Sequence, residues 1–219
     1  MSSKISVRVL PRHTLTKLLK ELSSRHTPAK VVTPRGVAPR GVPAVWKCEA
    51  PRYQSLIEED CARVADIASC IAAFETHPAK LELGTAGEPL VYTPDLLLWS
   101  SDWGAVVEVK PAEKLSSSKT ATRLRKVADR LRRHGIPLCL LLDTDVRAHG
   151  LQTTLKLLQR ERPVRGRYRA DVDATLWDPH GRTPASAEQL ARWQNAQRVC
   201  DDLLRRVMRR NPDDLLTVA

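Results

Sequence analysis

Residues 136–143 (IPLCLLLD) constrain the fold most strongly, because they form the longest apolar run in the chain. Such a run suits a strand that is buried on both faces of a sheet. Residues 116–134 just before it repeat apolar side chains at helical spacing, and Gly135 is suited to end that helix. We therefore expect an α/β fold in which this helix crosses over to a parallel strand.

Earlier patterns add the other elements of the predicted core. Residues 55–73 have the spacing of a helix that Ser55 caps. Three apolar or alternating runs follow, and turn residues separate them, as is typical of antiparallel strands. These runs cover residues 79–83, 90–99 and 105–110.

The chain divides into three parts at the sequence level. Residues 1–52 hold a short helix over 14–26 and then an extended basic arm rich in Pro, Arg and Gly. Residues 53–148 hold the α/β core. Residues 149–219 predict a small, mainly helical C-terminal module, with helices near 151–160 and 185–210 around an Arg-rich link.

The charge favours a polyanionic partner such as double-stranded DNA. The formal net charge is +11, and the basic excess lies in the two terminal parts while the middle is slightly acidic. Lys and Arg clusters gain affinity for phosphates by releasing counterions, although basic tails also serve solubility.

Cysteine and hydropathy patterns exclude several classes. The five cysteines form no C-x-x-C pair and are odd in number, so we expect reduced, mostly buried thiols rather than a disulfide framework or a zinc site. No apolar run approaches transmembrane length and no signal-peptide core is present, which suits a bacterial cytoplasm, at the nucleoid.

A carboxylate constellation carries the predicted chemistry. Asp95 ends the stretch Tyr-Thr-Pro-Asp, and Glu108 and Lys110 alternate on the next strand. The two-residue period of a strand puts Glu108 and Lys110 on one face while Val109 points into the core. The three side chains are thus expected within reach of one point.

This set suits a hard cation. Mg²⁺, with Mn²⁺ as a substitute, takes carboxylate oxygens and polarises a scissile phosphate. Lys110 would orient the attacking water or stabilise phosphoryl charge. The alternative is a turn followed by an ordinary cross-strand ion pair.

Glu58 is ambiguous from local sequence. Ser55 and Glu58 have the spacing of a helix capping box, in which the glutamate returns to the N-terminal amide. The neighbouring Glu59 and Asp60 are equally available acids, and pattern reasoning does not rank the three.

The chain resembles the TnsA family, the endonuclease subunits of heteromeric transposases within the PD-(D/E)XK nuclease superfamily. The resemblance covers roughly residues 30–148, with departures at Gln54 and His77, where the family usually has glutamate and commonly glutamine. His77 is either close to the site or merely structural. The matching stretches are an Arg/Gly-rich lead-in, QSLIEED at 54–60, His-Pro at 77–78, YTPD at 92–95, EVKP at 108–111 and LLLDTDVR at 140–147.

The resemblance implies a restriction-endonuclease-like core, a mixed central sheet flanked by helices. It implies that Glu58 joins Asp95, Glu108 and Lys110 as catalytic residues, with Glu58, Asp95, Glu108 and the Val109 carbonyl holding Mg²⁺. It also implies hydrolysis at the 5′ ends of a mobile element, with a DDE-type TnsB-like transposase and an AAA+ TnsC-like regulator as partners.

The expected DNA surface combines the N-terminal arm with the outer face of the helix over 116–134, where Asp129 is the one acid in the vicinity. Two alternatives stay open: a repair, restriction or junction-resolving nuclease of the same fold, or a non-catalytic DNA-binding adaptor. The residues assigned to DNA binding are Arg35, Arg40, Lys119, Arg123, Lys126 and Arg130.

Overall fold

A mixed five-stranded sheet forms the centre of the protein, in a computed structural model that describes residues 8–23, 46–161 and 186–216. A separate two-stranded sheet lies beside it. The strands of the main sheet are β1 (Leu10–Pro11), β2 (Ala73–Thr76), β5 (Leu96–Trp99), β6 (Trp103–Lys110) and β7 (Leu138–Leu142), and those of the small sheet are β3 (Leu81–Glu82) and β4 (Val91–Tyr92).

Strand β6 organises the main sheet. Its partner β5 is antiparallel and in turn pairs with the antiparallel β2. The other edge of β6 is shared, because β1 pairs antiparallel with its first two residues and β7 pairs parallel with residues 106–110. The predicted helix crossover to a parallel strand is confirmed.

Helices cover both faces of the sheet. They are α1 (Arg12–Leu22), α2 (Leu56–Ile67), α3 (Ala112–Leu115), α4 (Ser118–Arg133), α5 (Asp143–Val146), α6 (Leu151–Glu161), α7 (Ala187–Arg209) and α8 (Pro212–Leu215). The α/β class is therefore confirmed. Within the described ranges, no helix has the length and apolar character needed to cross a membrane.

Alternation along the strands divides the core into two apolar clusters. Leu96 and Val107 face one cluster, the α2-side cluster, together with α2, α6 and α7. Leu97 and Val106 face the other, the α4-side cluster, together with α1 and α4. A strand presents successive side chains to opposite faces, so β5 and β6 serve both clusters.

The predicted helix over 55–73 is too long, because α2 ends at Ile67 and Ala73 already begins β2. The reason is a tertiary contact. The carboxylate of Asp201 on α7 accepts hydrogen bonds from the Ser69 hydroxyl (2.5 Å) and the Cys70 N–H (3.0 Å). The bond from the Cys70 N–H takes the place of a helical backbone bond, and β2 was missed as a result.

The single strand predicted over 90–99 is also wrong. It divides at residues 93–95 into β4 and β5, which belong to different sheets. Pro94 lacks the N–H that a continuous ladder needs. Likewise, the predicted strand over 79–83 shortens to β3 and pairs with β4 rather than with the main sheet.

The terminal parts contact the core. Leu15 and Leu19 of α1 are buried in the α4-side cluster, and Leu203 and Leu204 of α7 are buried in the α2-side cluster. The predicted C-terminal helices are confirmed as α6 and α7. The segments around the predicted arm residues Arg35 and Arg40 and the Arg-rich link lie outside the described residues.

All five cysteines are free thiols, as expected, and four of them are buried.

Candidate active site

One end of the main sheet gathers the predicted acidic and basic side chains. Asp95 directly precedes Leu96, and Leu96 pairs with Val107, the residue before Glu108. The antiparallel register thus places Asp95 beside the C-terminal end of β6. Val109 is buried in the α2-side cluster, as predicted.

The ammonium group of Lys110 is the centre of this arrangement. It lies 2.6 Å from Glu108 Oε1, 2.8 Å from the Val109 carbonyl oxygen and 3.3 Å from Asp95 Oδ2. Asp95 Oδ2 also accepts a hydrogen bond of 2.8 Å from the Val109 N–H. Two carboxylates and one carbonyl therefore converge on a single cation.

Tyr92 completes the environment of Glu108. Its hydroxyl donates a 2.8 Å hydrogen bond to Glu108 Oε2, and both residues are buried. Glu108 is only 3% exposed. Burying a carboxylate without partners is very costly, and the Tyr92 hydroxyl and the Lys110 ammonium offset this cost by contacting both of its oxygens.

Burial and mutual repulsion perturb these groups. Burial and the nearby Glu108 charge raise the pKa of Asp95 to about 7. Burial lowers the pKa of Lys110, but the charges of Glu108 and Asp95 outweigh it, so the net pKa is raised. The pKa of Tyr92 is raised well above its ordinary value by burial and by Glu108. Perturbation of several neighbouring groups is typical of functional sites.

Glu58 lies at the N-terminus of α2 and forms only part of the capping box that its sequence suggests, because its carboxylate accepts from the amide that precedes the N-cap Ser55 rather than from the Ser55 amide. Its N–H donates to Ser55 Oγ at 3.2 Å, and its carboxylate accepts from the Gln54 N–H at 2.8 Å. Its Oε2 also lies 3.0 Å from His77 Nε2. Burial raises the pKa of Glu58, but the hydrogen bonds from His77 and Gln54 outweigh it and lower the pKa overall.

His77 connects Glu58 to the other acids. Its backbone N–H donates a 3.1 Å hydrogen bond to the Asp95 carbonyl while its buried ring meets Glu58. Its φ of 46° is unusual for a residue other than glycine, so these contacts hold a strained conformation. Within the described residues, the carboxylate of Glu58 is held by Gln54, Ser55 and His77 rather than by Lys110.

The other two acids of the 58–60 stretch have different partners. Both Glu59 and Asp60 form ion pairs with Arg63, the second at 2.6 Å. Asp60 also accepts from Arg147 Nε at 2.7 Å. Of the three acids, Glu58 is the one that contacts His77, whose backbone N–H bonds to the Asp95 carbonyl.

The predicted DNA-binding residues of α4 lie on its outer face. Lys119, Arg123 and Lys126 are exposed, whereas the side chain of Arg130 is only 13% exposed. The expectation that Asp129 is the one nearby acid is wrong, because Glu88 forms ion pairs with both Lys126 and Arg130. Glu88 is separated from α4 in sequence, so helical spacing gave no sign of this contact.

The donor set is chemically suited to a divalent cation. Mg²⁺ takes carboxylate and carbonyl oxygens, the groups of Asp95, Glu108 and Val109 that already surround an ammonium ion. Across the described part of the chain, no three His, Cys, Asp or Glu side chains are grouped closely enough to hold a metal ion by themselves. A divalent cation bound by these oxygens would occupy the position of the Lys110 ammonium.

Sequence reasoning missed Tyr92 as a site residue and left His77 open. Tyr92 stands three residues before Asp95 in the quoted motif, but the break between β4 and β5 decides where it points. His77 carried one usable signal, since it directly precedes a proline just before a short strand. Neither the contact of Tyr92 with Glu108 nor that of His77 with Glu58 follows from spacing along the sequence, because each joins residues of separate structural elements.

No protein-family model matches this chain, and no curated protein matches it.

Proposed function

We propose that this protein is a metal-dependent DNA endonuclease of the TnsA type, built on a restriction-endonuclease-like core. The convergence of Asp95, Glu108 and the Val109 carbonyl on one cationic position carries this proposal. A binding-only protein has little physical reason to bury carboxylates around a cation, since desolvation makes such a cluster costly.

The roles of Asp95, Glu108 and Val109 are supported by their shared contact with Lys110, and their oxygens would hold Mg²⁺. Glu58 joins the proposed set through the family resemblance, since its carboxylate contacts Gln54, Ser55 and His77. When bound, the metal supplies Lewis-acid polarisation of the phosphate and lowers the pKa of a bound water. Lys110 would keep its positive charge at the site and stabilise the developing negative charge on the phosphoryl oxygens.

The basic face of α4 would position the DNA backbone. Arg123 is close enough to lower the pKa of Tyr92 by its charge, although burial and Glu108 dominate and raise that pKa. One cation of the helix that carries Lys119, Arg123, Lys126 and Arg130 thus lies within electrostatic reach of Tyr92. Phosphate contacts of this kind fix the register of a duplex without reading its sequence.

The family resemblance extends the proposal to the biological setting. The substrate would be the 5′ ends of a mobile element, and the partners would be a DDE-type TnsB-like transposase and an AAA+ TnsC-like regulator in the bacterial cytoplasm. This part rests on sequence motifs alone.

A plasmid-nicking assay with Mg²⁺ or Mn²⁺ tests the proposed activity. Wild type should convert supercoiled DNA to nicked or linear forms, and Asp95→Asn should lose this activity while still binding DNA. Asp102→Asn is the matched control, because Asp102 is exposed in the turn between β5 and β6. Nicking retained by Asp95→Asn would exclude the site.

A further inference from the structure

The turn between β3 and β4 brings an acidic side chain to the basic face of α4. Thr85 and Glu88 exchange two backbone hydrogen bonds of 3.1 and 3.0 Å, which makes the tip a tight two-residue hairpin. A Cβ at Gly84 would collide with the backbone of Glu88 and Leu90, so the turn depends on glycine there.

The Glu88 carboxylate bridges two cations. One oxygen pairs with Lys126 and the other with Arg130, which lie one helical turn apart. The side chain of Glu88 stays 51% exposed. The hydrogen bond and charge of Lys126, followed by the charge of Arg130, lower the pKa of Glu88, so the group is a carboxylate at neutral pH.

A cleft of about 350 Å³ surrounds this contact. Basic side chains outnumber acidic ones along it, since Arg125 and Arg133 join Lys126 and Arg130 while Asp129 joins Glu88. The cleft is open to solvent and lies on the face that we propose for DNA.

We propose that Glu88 occupies the place of a DNA backbone phosphate in this cleft, and that duplex DNA displaces it. A carboxylate and a phosphodiester both offer two anionic oxygens to a pair of cationic donors. Exposed ion pairs are weak, whereas a phosphate also gains from counterion release. This inference rests on the proposed DNA binding and adds that the free protein masks part of its own DNA surface.

The test is equilibrium binding of the full chain to a short DNA duplex, with chelator present so that no cleavage occurs. Glu88→Gln keeps the shape of the side chain and removes the competing charge. It should bind DNA about two- to tenfold more tightly than wild type at low salt. The dependence of log affinity on log salt should steepen by about one unit, because the freed cations then engage phosphates without exchanging a carboxylate.

Two controls separate masking from a general charge effect. Glu82→Gln adds the same charge at an exposed position on β3 and should give a smaller gain. In a Lys126→Gln/Arg130→Gln background, Glu88→Gln should give no gain beyond that of Glu82→Gln. Unchanged or weaker binding by Glu88→Gln, an equal gain from Glu82→Gln, or a full gain in that background would overturn the masking.

The binding experiment also distinguishes an error in the proposed masking from an error in the proposed function. Wild type that binds duplex DNA while Glu88→Gln shows no gain would remove the masking alone. Wild type with no affinity for duplex DNA would remove both the masking and the DNA-binding part of the proposed function.

Discussion

The Lys110 ammonium lies 2.6 Å from Glu108 Oε1 and acts as the internal counter-ion of a carboxylate that is almost fully buried. The same ammonium also contacts Asp95 and the Val109 carbonyl. The oxygens proposed for a metal are therefore already assembled around a positive charge. Lysine and metal would compete for this position.

Replacing Lys110 should separate metal binding from catalysis. Lys110→Met removes the competing ammonium, so its affinity for Mg²⁺ should rise at least about tenfold, since unit charges a few ångströms apart interact strongly in a partly buried site. Its DNA cleavage should be lost. Calorimetric titration of Mg²⁺ into wild type, Lys110→Met and Lys110→Arg measures the change.

The arginine variant is the control, because it retains the positive charge and should gain far less affinity. Weaker Mg²⁺ binding by Lys110→Met than by wild type would contradict competition between the two cations.

The acids of the 58–60 stretch should differ in their effects. Glu58→Gln should weaken metal binding by at least about tenfold, the scale seen when groups around a metal are altered. Glu59→Gln, the same change one residue later, should leave metal binding unchanged because Glu59 pairs with Arg63. The same titration measures both variants. Weaker metal binding by Glu59→Gln than by Glu58→Gln would assign the metal-binding role to Glu59 instead.

Tyr92 and Tyr53 offer a matched pair of hydroxyl deletions. Tyr92→Phe removes the donor to Glu108 and should lower the free energy of unfolding by about 1–3 kcal/mol, the usual cost of leaving a buried polar group without its partner. The buried Tyr53 hydroxyl has no hydrogen-bond partner among the described residues, so Tyr53→Phe should be neutral or stabilising. Urea unfolding of both variants measures the difference, and equal losses would contradict the role of the Tyr92 hydrogen bond.

Asp201 should make stability depend on pH. Burial raises its pKa, but the hydrogen bonds from Ser69 and Cys70 outweigh it and lower the pKa below its ordinary value. A pKa that is lower in the folded protein than in the unfolded chain means that the ionised carboxylate stabilises the fold. This stabilisation is fully present above the pKa of the unfolded chain, about 3.9, and is lost as pH falls through the lower pKa of the folded protein. Asp201→Asn should therefore be less stable than wild type near pH 7, with the gap narrowing in acid. Urea unfolding across this range is the check, and a constant gap would contradict it.

The parts of the fold that depend on patterns within one short stretch of sequence were predicted correctly. The run at 136–143 and the helical repeat before it became β7 and α4, because periodicity and burial agree there. The alternation of Glu108, Val109 and Lys110 was likewise predicted correctly, since the period of a strand fixes which side chains share a face.

The errors lie where distant residues decide the outcome. Asp201 on α7 ends the predicted helix early by bonding to Ser69 and Cys70. Glu88 accepts a hydrogen bond from Arg130 on the basic face of α4, although the two residues are 42 positions apart in the sequence. His77 meets Glu58 from a backbone with a φ of 46°, which is uncommon for a residue other than glycine. Such contacts depend on tertiary placement, which spacing along the chain does not contain.

Binding of Mg²⁺ or Mn²⁺, measured by calorimetry, tests the central claim most directly. Wild type is compared with Asp95→Ala/Glu108→Ala, with and without duplex DNA. The proposed site requires binding by wild type that is lost in the double variant. Equal, weak binding by both proteins would contradict a metal centre at this end of the sheet.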